Sequence, residues 1–426
     1  MTKTRFALVL VIRIALLVPA LSAAPAPGAA SEEAKKPAFG ITLSGFVKTD
    51  IFYDTRQTTA IREGHYLLFP KGPSLGPDGG DVNARDTFNI LSIQTRLAGT
   101  ITGPDALGAR TSAYIEAEFF GTSDSDLNGF RLRHGFLKLS WARSELMIGQ
   151  FWHPMFVTES FPDVVSFNTG APFQPFNRSP QVRFTRIIGG FSLSATALAQ
   201  RDFVSNGPEG ASSVYLRNAA LPEFNLKLQY GKKDAARKTE TVAGIGADIM
   251  RLAPRIVTAL GYPTDESLTG LAAMAFFKQR WPKWSWKAEA VWGQNLHHLT
   301  MLGGYAVRDV VDEARGDWSY TPIATLSLWT EVQTAGTPWQ AGLFAGYAKN
   351  LGSPHEIGGV GYARGFNIDE ICRLSPRLVY NAGKMRFAGE VELTAASYGM
   401  PDLFGKVRDA RFVRNLRLLL AAYYFF

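Results

Sequence analysis

The chain of 426 residues carries 45 lysines and arginines against 37 aspartates and glutamates, a formal charge of +8, and one cysteine, Cys372. The basic residues form no block, which argues against nucleic acid as a partner, because nucleic-acid binders concentrate charge on a face or in a run. A lone cysteine excludes an internal disulfide and a thiolate metal cluster, and the length admits either a few ordinary domains or one large all-β barrel.

Residues 1–30 read as a secretory signal, with Lys3 and Arg5 at the charged end, an apolar region over 6–17 interrupted by Arg13, and a small-residue stretch over 19–30 suited to cleavage. The segment is too short and too broken for a membrane anchor, which needs about 20 apolar residues. Residues 31–38 form a short lead, and no later apolar run is long enough for a transmembrane helix.

From Phe39 onward the dominant signal is alternation with period 2. Over 111–120, Ala113, Ile115, Ala117 and Phe119 share one face and Ser112, Tyr114, Glu116 and Glu118 the other. Two carboxylates would be ruinous in a packed sandwich core, but are acceptable on a face that lines water. The pattern recurs. Leu91, Ile93 and Leu97 oppose Ser92, Gln94 and Arg96; Phe224, Leu226, Leu228 and Tyr230 oppose Asn225, Lys227 and Gln229; Trp284, Trp286 and Trp292 oppose Lys287 and Glu289; Leu374, Leu378 and Tyr380 oppose Arg373, Ser375 and Arg377. Segments of about 10 residues with apolar-out, polar-in alternation are the signature of an outer-membrane barrel.

Connector lengths supply the topology. Short links at 103–109, 142–144, 188–190, 231–238, 281–283, 335–338 and 381–384 alternate with long ones at 55–86, 121–128, 153–180, 204–212, 253–267, 296–321, 350–371 and 399–411. The alternation predicts sixteen strands with both termini on the short-turn side, as a closed bacterial barrel requires. Keeping it makes 213–230 one strand, with a bulge at Leu221-Pro222-Glu223 where proline is tolerated.

The link 153–180 stands apart. It holds prolines at 154, 162, 172, 175 and 180 and five phenylalanines, so it is no strand, yet it is too apolar for a floppy linker. Long connections of this kind usually carry function. In the last strand Leu416, Leu418, Leu420, Ala422, Tyr424 and Phe426 fall on one face and Asn415 and Arg417 on the other, with an aromatic run at 423–426 suited to an interfacial girdle.

An export signal, sixteen strands, a terminal Phe426 and a long third outer loop together resemble the trimeric porins of Gram-negative outer membranes. Two stretches, LSGFVKTDIFYDTRQ (43–57) and GFRLRHGFLKLSW (129–141), look like the DcaP-like porin group or a related group of barrels. The resemblance implies an all-β, transmembrane, antiparallel up-and-down barrel over 39–426 in the outer membrane. It also implies a third loop folded into the lumen, a homotrimer, and hand-over to the barrel assembly machinery through the strand ending in Phe426. Gly45, Gly99 and Ala98, near the closure point, are compatible with subunit packing. The loop lacks the short acidic signature expected of general diffusion porins.

With the loop inside, Glu159, Asp163 and Arg178 form the constriction and face charges on the wall. Inner-face positions assign Lys48, Arg96, Arg110, Arg131, Arg133, Arg183, Lys227, Lys287, Arg373, Arg377, Arg386 and Arg417 as basic. The acidic set is Asp50, Glu116, Glu118, Asp202, Asp248, Glu289, Glu331, Glu390 and Glu392. Closure brings Arg96, Arg377 and Arg417 within a few strands of one another, where a low-dielectric wall focuses their field on a passing anion. The alternative for these charges is pairing across neighbouring strands, as Arg386 with Glu390.

The expected function is passive diffusion of small hydrophilic solutes with a mild anion preference, with outer-membrane lipid as partner and no cofactor. The alternative is a barrel enzyme of hydrolase type or a structural barrel with a closed lumen. Metal sites find little support: His297-His298 lacks a third ligand at known spacing and His355-Glu356 lacks the second histidine of a zinc-protease helix. The glycines at 244–246 and 358–361 read as turn and strand glycines, and His134, the one strand histidine, has no nameable hydrolase partner.

Overall fold

The computed structural model describes residues 39–426. The signal and lead assigned to 1–38 lie outside the described residues. Sixteen strands form an antiparallel up-and-down barrel: β1 (Gly40–Asp54), β2 (two segments, Thr87–Leu91 and Arg96–Thr102), β3 (Arg110–Glu118), β4 (Arg131–Ser140), β5 (Ser144–Trp152), β6 (Arg178–Ile188), β7 (Phe191–Leu198) and β8 (Glu223–Asp234) make the first half. The second half is β9 (Thr239–Leu252), β10 (Leu268–Arg280), β11 (Trp284–Gln294), β12 (Asp317–Thr334), β13 (Trp339–Gly352), β14 (Ile368–Ala382), β15 (Met385–Pro401) and β16 (Val407–Phe425). β1 closes the barrel on β16, from Phe46 opposite Phe425 to Asp54 opposite Arg417, which leaves no free edge.

The chemistry of the two faces explains the closure. Along β16, Leu420 is 60% exposed while Arg417 is 1% exposed. In the same way Leu226, Leu228, Trp286, Trp292, Leu374 and Leu378 face outward, whereas Lys227, Lys287, Glu289, Arg373 and Arg377 are buried inside. This inverts a water-soluble protein, and a continuous outer apolar band is what a bilayer stabilises. Aromatic residues gather at the turn end, among them Trp281 stacked on Trp284 at 4.0 Å, Trp339 against Tyr380 at 4.7 Å and the outward Tyr424 and Phe426, where interfacial girdles belong.

Eight longer connections, L1 to L8 (55–86, 119–130, 153–177, 199–222, 253–267, 295–316, 353–367 and 402–406), leave from one end, and seven short turns from the other. Three of them fill the interior. L1 carries a hairpin, Thr58–Ile61 with Tyr66–Pro70, whose second strand is fully buried. L3 and the start of L6 pack against it in an apolar cluster that includes Tyr66, Phe120, Phe156, Phe167, Phe176, Trp329 and Phe344. Phe120 stacks on Phe167 at 4.2 Å and Trp152 on Phe156 at 3.8 Å. Burying such rings contributes about 25 cal/mol per Å² of apolar surface. Gly346 on β13 permits this seating, since a Cβ there would lie 2.5 Å from the Phe173 ring.

Several local expectations are corrected. Leu91 and Ile93 point into the core while Leu97 points out, because the ladder breaks at Ser92–Thr95 and the odd positions change face across the break. The segment 213–222 is no part of a strand: it holds a short helix, Val214–Asn218, anchored by buried Tyr215 and Leu216, and β8 begins only at Glu223. L3 ends at 177, so Arg178 opens β6. Ala98 faces inward and Arg110 is exposed at the turn-side rim. The tip of L6 forms a hairpin, Gly303–Asp312, with the loop-side half of β12.

Candidate functional site

L3 crosses the interior and is held to the opposite wall by its backbone. The N–H groups of Asp163 and Val165 donate to Glu331 at 2.8 Å and Glu390 at 2.6 Å, and the Ser166 N–H to Glu390 at 3.3 Å. The Asn168 side chain donates to Glu392 at 2.7 Å, Arg373 donates to the Ala171 carbonyl at 2.8 Å, and Lys48 to the Val165 carbonyl at 2.9 Å. Each wall carboxylate thus meets loop donors that proline-rich backbone leaves without a ladder partner, and hydrogen bonds to charged groups contribute about 1.5–3 kcal/mol each.

The acids and bases assigned to the wall fall into separate groups. On the β2–β6 side, Arg133 reaches Glu116 and Glu118 at 2.6 Å each, and Arg131 reaches Glu118 at 2.7 Å and Asp202 at 2.8 Å. Arg178 closes on Asp202 through Nε at 2.7 Å, and Arg96 approaches Glu118 at 3.3 Å. Four guanidinium groups therefore share three carboxylates. Asp202 itself lies in L4, past the end of β7; burial alone would raise its carboxyl, but Arg178 and Arg131 hold it below the ordinary range.

On the far wall, Lys287 and Arg377 flank Glu331 at 3.2 and 2.8 Å. Asp163 of L3 completes this group, bonded to Lys287 at 2.5 Å and to the Gln333 amide at 2.5 Å. Burial pushes the Asp163 carboxyl up, yet Lys287 holds it below the ordinary range. Arg373 sits 3.5 Å from Glu392, and Arg417 grips Asp54 with Nε at 2.9 Å and Nη2 at 2.6 Å. Arg96, Arg377 and Arg417 therefore belong to three different groups and form no joint cluster. Arg386 bonds Asn381 at 2.9 Å instead of Glu390, and Arg183 donates to the Trp152 carbonyl at 2.8 Å.

A cavity of about 610 Å³ lies beneath L3 on the turn side. Its wall takes Arg96, Arg133, Lys278, Arg280, Lys287, Arg377 and Arg386, seven cationic side chains, against three carboxylates, Glu116, Glu159 and Asp163. Arg131, Arg178, Arg183, Arg373, Arg417, Glu118, Glu390 and Glu392 are absent from that wall. Lys278 and Arg280 join it although the strand pattern did not single them out; both follow the apolar stretch of β10, a position where a charge sits at the aqueous rim.

One grouping escapes sequence reasoning. His153, Glu223 and His298 converge, with both imidazole Nε2 atoms 3.0 and 2.9 Å from one Glu223 oxygen. They are separated by 70 and 75 positions in the chain, so no local spacing reveals them. His134 lies 3.8 Å from Glu116 among Phe151 and Trp152, and among the described residues no hydroxyl is bonded to its ring.

No protein-family model matches the chain, and no curated protein does. Its structure is similar to that of the outer-membrane channel DcaP of Acinetobacter baumannii, with a TM-score of 0.68 and 16% identity over 92% of this chain and 98% of that one. The fold is that of the sixteen-stranded porins. Its structure is also similar to that of OmpT, an outer-membrane protein of Vibrio cholerae, at a TM-score of 0.52 and 11% identity over 92% and 99% of the two chains. The trimer form of that protein gives 0.53 and 10% over 91% and 100%.

Proposed function

We propose that this protein is an outer-membrane porin, a passive diffusion channel for small hydrophilic solutes with a mild anion preference, in which L3 forms the constriction. The observation that carries the reading is the cavity beneath L3, where seven cationic side chains face three carboxylates. Partly desolvated charges of one sign raise the local concentration of the opposite ion. Glu159 and Asp163 on the loop and Lys287, Arg377, Arg96 and Arg133 on the wall are the residues a solute meets there. The similarity to a solved channel supports the same class.

Outward apolar strands and the terminal Phe426 support residence in the outer membrane and delivery by the barrel assembly machinery. The homotrimer rests on the resemblance to trimeric porins and on the trimer form of the Vibrio protein. Reconstitution into a planar bilayer tests the reading through discrete conductance steps.

A second reading, a barrel with a closed lumen, draws on one observation. A further cavity of about 490 Å³ on the loop side, between L1 and L7, shares no lining residue with the one beneath L3, and the apolar cluster borders both. The channel reading requires a solute path past that cluster, and a barrel without conductance steps would carry the second reading instead.

A further inference from the structure

The cluster at the loop-side end of the barrel takes no part in the pathway described above. It comprises His153, the first residue of L3; His298, in L6; Glu223, the first residue of β8; and Asp248 on β9. All are buried, at 0, 2, 0 and 8% exposure. The two imidazole Nε2 atoms meet Glu223 Oε1 at 3.0 and 2.9 Å, and Asp248 Oδ2 lies 3.8 Å from His153 Nε2. Among the described residues Glu223 Oε2 and His298 Nδ1 have no hydrogen-bond partner, although both are enclosed. Asn225 donates to Asp248 Oδ2 at 3.1 Å, which steers that carboxylate toward the histidines.

Two carboxylates and two imidazoles are enclosed together here, and among the described residues no lysine or arginine is ion-paired with either acid. Uncompensated buried charge is strongly unfavourable, so protons or a cation must neutralise it. Two imidazole nitrogens and a carboxylate oxygen are a donor set for a zinc-class ion, the fourth position being left to a water, whereas calcium and magnesium take oxygen donors alone. Neighbouring donors on a tetrahedral zinc stand roughly 3.3 Å apart, so the separations of Glu223 Oε1 from the two Nε2 atoms need only small adjustments, and all three ligand atoms lie within 4.8 Å of one another.

We propose that His153, His298 and Glu223 bind one divalent transition-metal cation of the zinc class, with Asp248 beside the site, and that the ion clamps the start of L3 to L6 and to the barrel wall. Binding through Nε2 places the His153 ring proton on Nδ1, which here accepts the Met155 N–H at 3.3 Å. That contact is given up on loading, so the first turn of L3 responds to the metal. The competing state has both imidazole N–H groups donating to Glu223 and a proton on the acid pair, with no metal. The proposal goes beyond the porin reading and holds for a closed barrel as well.

The test uses untagged full-length protein extracted in detergent, stripped with a chelator, reloaded with zinc chloride, desalted and assayed by elemental analysis. The wild type should hold about one zinc ion per chain and lose its heat-modifiable gel mobility at a higher temperature when loaded than when stripped. The double variant Glu223→Gln with His298→Gln should bind zinc at least tenfold more weakly, in line with loss of metal ligands, while His355→Ala should bind as the wild type does. Folded wild type that retains no stoichiometric zinc after reloading, or a double variant that retains as much as wild type, overturns the proposal. Should the double variant fail to fold, cobalt-loaded wild type decides: visible bands of a four-coordinate nitrogen–oxygen site support the assignment, and their absence refutes it.

Discussion

The backbone N–H of Val165 donates to the Glu390 carboxylate at 2.6 Å, joining the middle of L3 to β15 across the barrel. The Ser166 N–H shares the same carboxylate at 3.3 Å. Removing that acceptor by Glu390→Ala leaves two buried donors unsatisfied at a cost of about 1–3 kcal/mol each. The expected result is a looser L3, seen as noisier open-channel current and faster proteolysis within 153–177, with the barrel still folded on a heat-modifiability gel. Quiet current and unchanged proteolysis would remove Glu390 from the set of loop anchors.

Gly346 tests the constriction without altering charge. A valine there sets its Cβ 2.5 Å from the Phe173 ring, tight enough that the loop must move. Overpacking of this kind typically costs about 1–3 kcal/mol. Single-channel conductance should change in Gly346→Val while the sign of ion selectivity stays the same. A conductance equal to wild type would place Phe173 and L3 outside the path of the current.

Asp163 gives the loop an acid sensitivity. Its carboxyl is held below the ordinary range by Lys287, so the stabilisation is complete above the ordinary carboxylate pKa of about 3.9. It is lost as pH falls through the depressed folded value. Asp163→Asn should therefore differ from wild type in open-channel noise near neutral pH, and the two should converge as the solution is acidified below about pH 4. A difference that persists unchanged into acid would assign the effect to shape.

The pair Arg417 and Asp54 seals the barrel closure between β16 and β1, with both side chains 1% exposed. Arg417→Ala strands a buried carboxylate and should destabilise by about 3–5 kcal/mol, whereas replacing both partners with well-packed apolar residues should cost far less. The temperature at which heat-modifiable mobility is lost reads both variants. Equal temperatures for Arg417→Ala and wild type would mean that water reaches Asp54.

The barrel itself was legible because Glu116 and Glu118 alternate with Ile115 and Ala117, a local pattern that survives any detail of the ends. Face assignment failed at Leu91 and Ile93, since the break at Ser92–Thr95 shifts parity and carries no strong sequence mark. The lumen filling by L1 was hidden because Tyr66 to Phe69 reads as an ordinary apolar run whose partners, Phe120, Phe167 and Phe176, lie far away in the chain. For the same reason charges on one inner face could be listed from alternation, but not sorted. Whether Arg373 spends its guanidinium on the Ala171 carbonyl or faces water depends on where L3 comes to rest.

The measurement that bears most directly on the channel is the zero-current potential of the reconstituted protein under a salt gradient. A pore whose cavity presents Arg96, Arg133, Lys278, Arg280, Lys287, Arg377 and Arg386 against Glu116, Glu159 and Asp163 should show discrete steps and a potential of the sign given by preferential anion flow. Lys287→Glu combined with Arg377→Glu should move that potential toward cation selectivity. Cation selectivity in the wild type, or folded protein that yields no steps, would contradict the account.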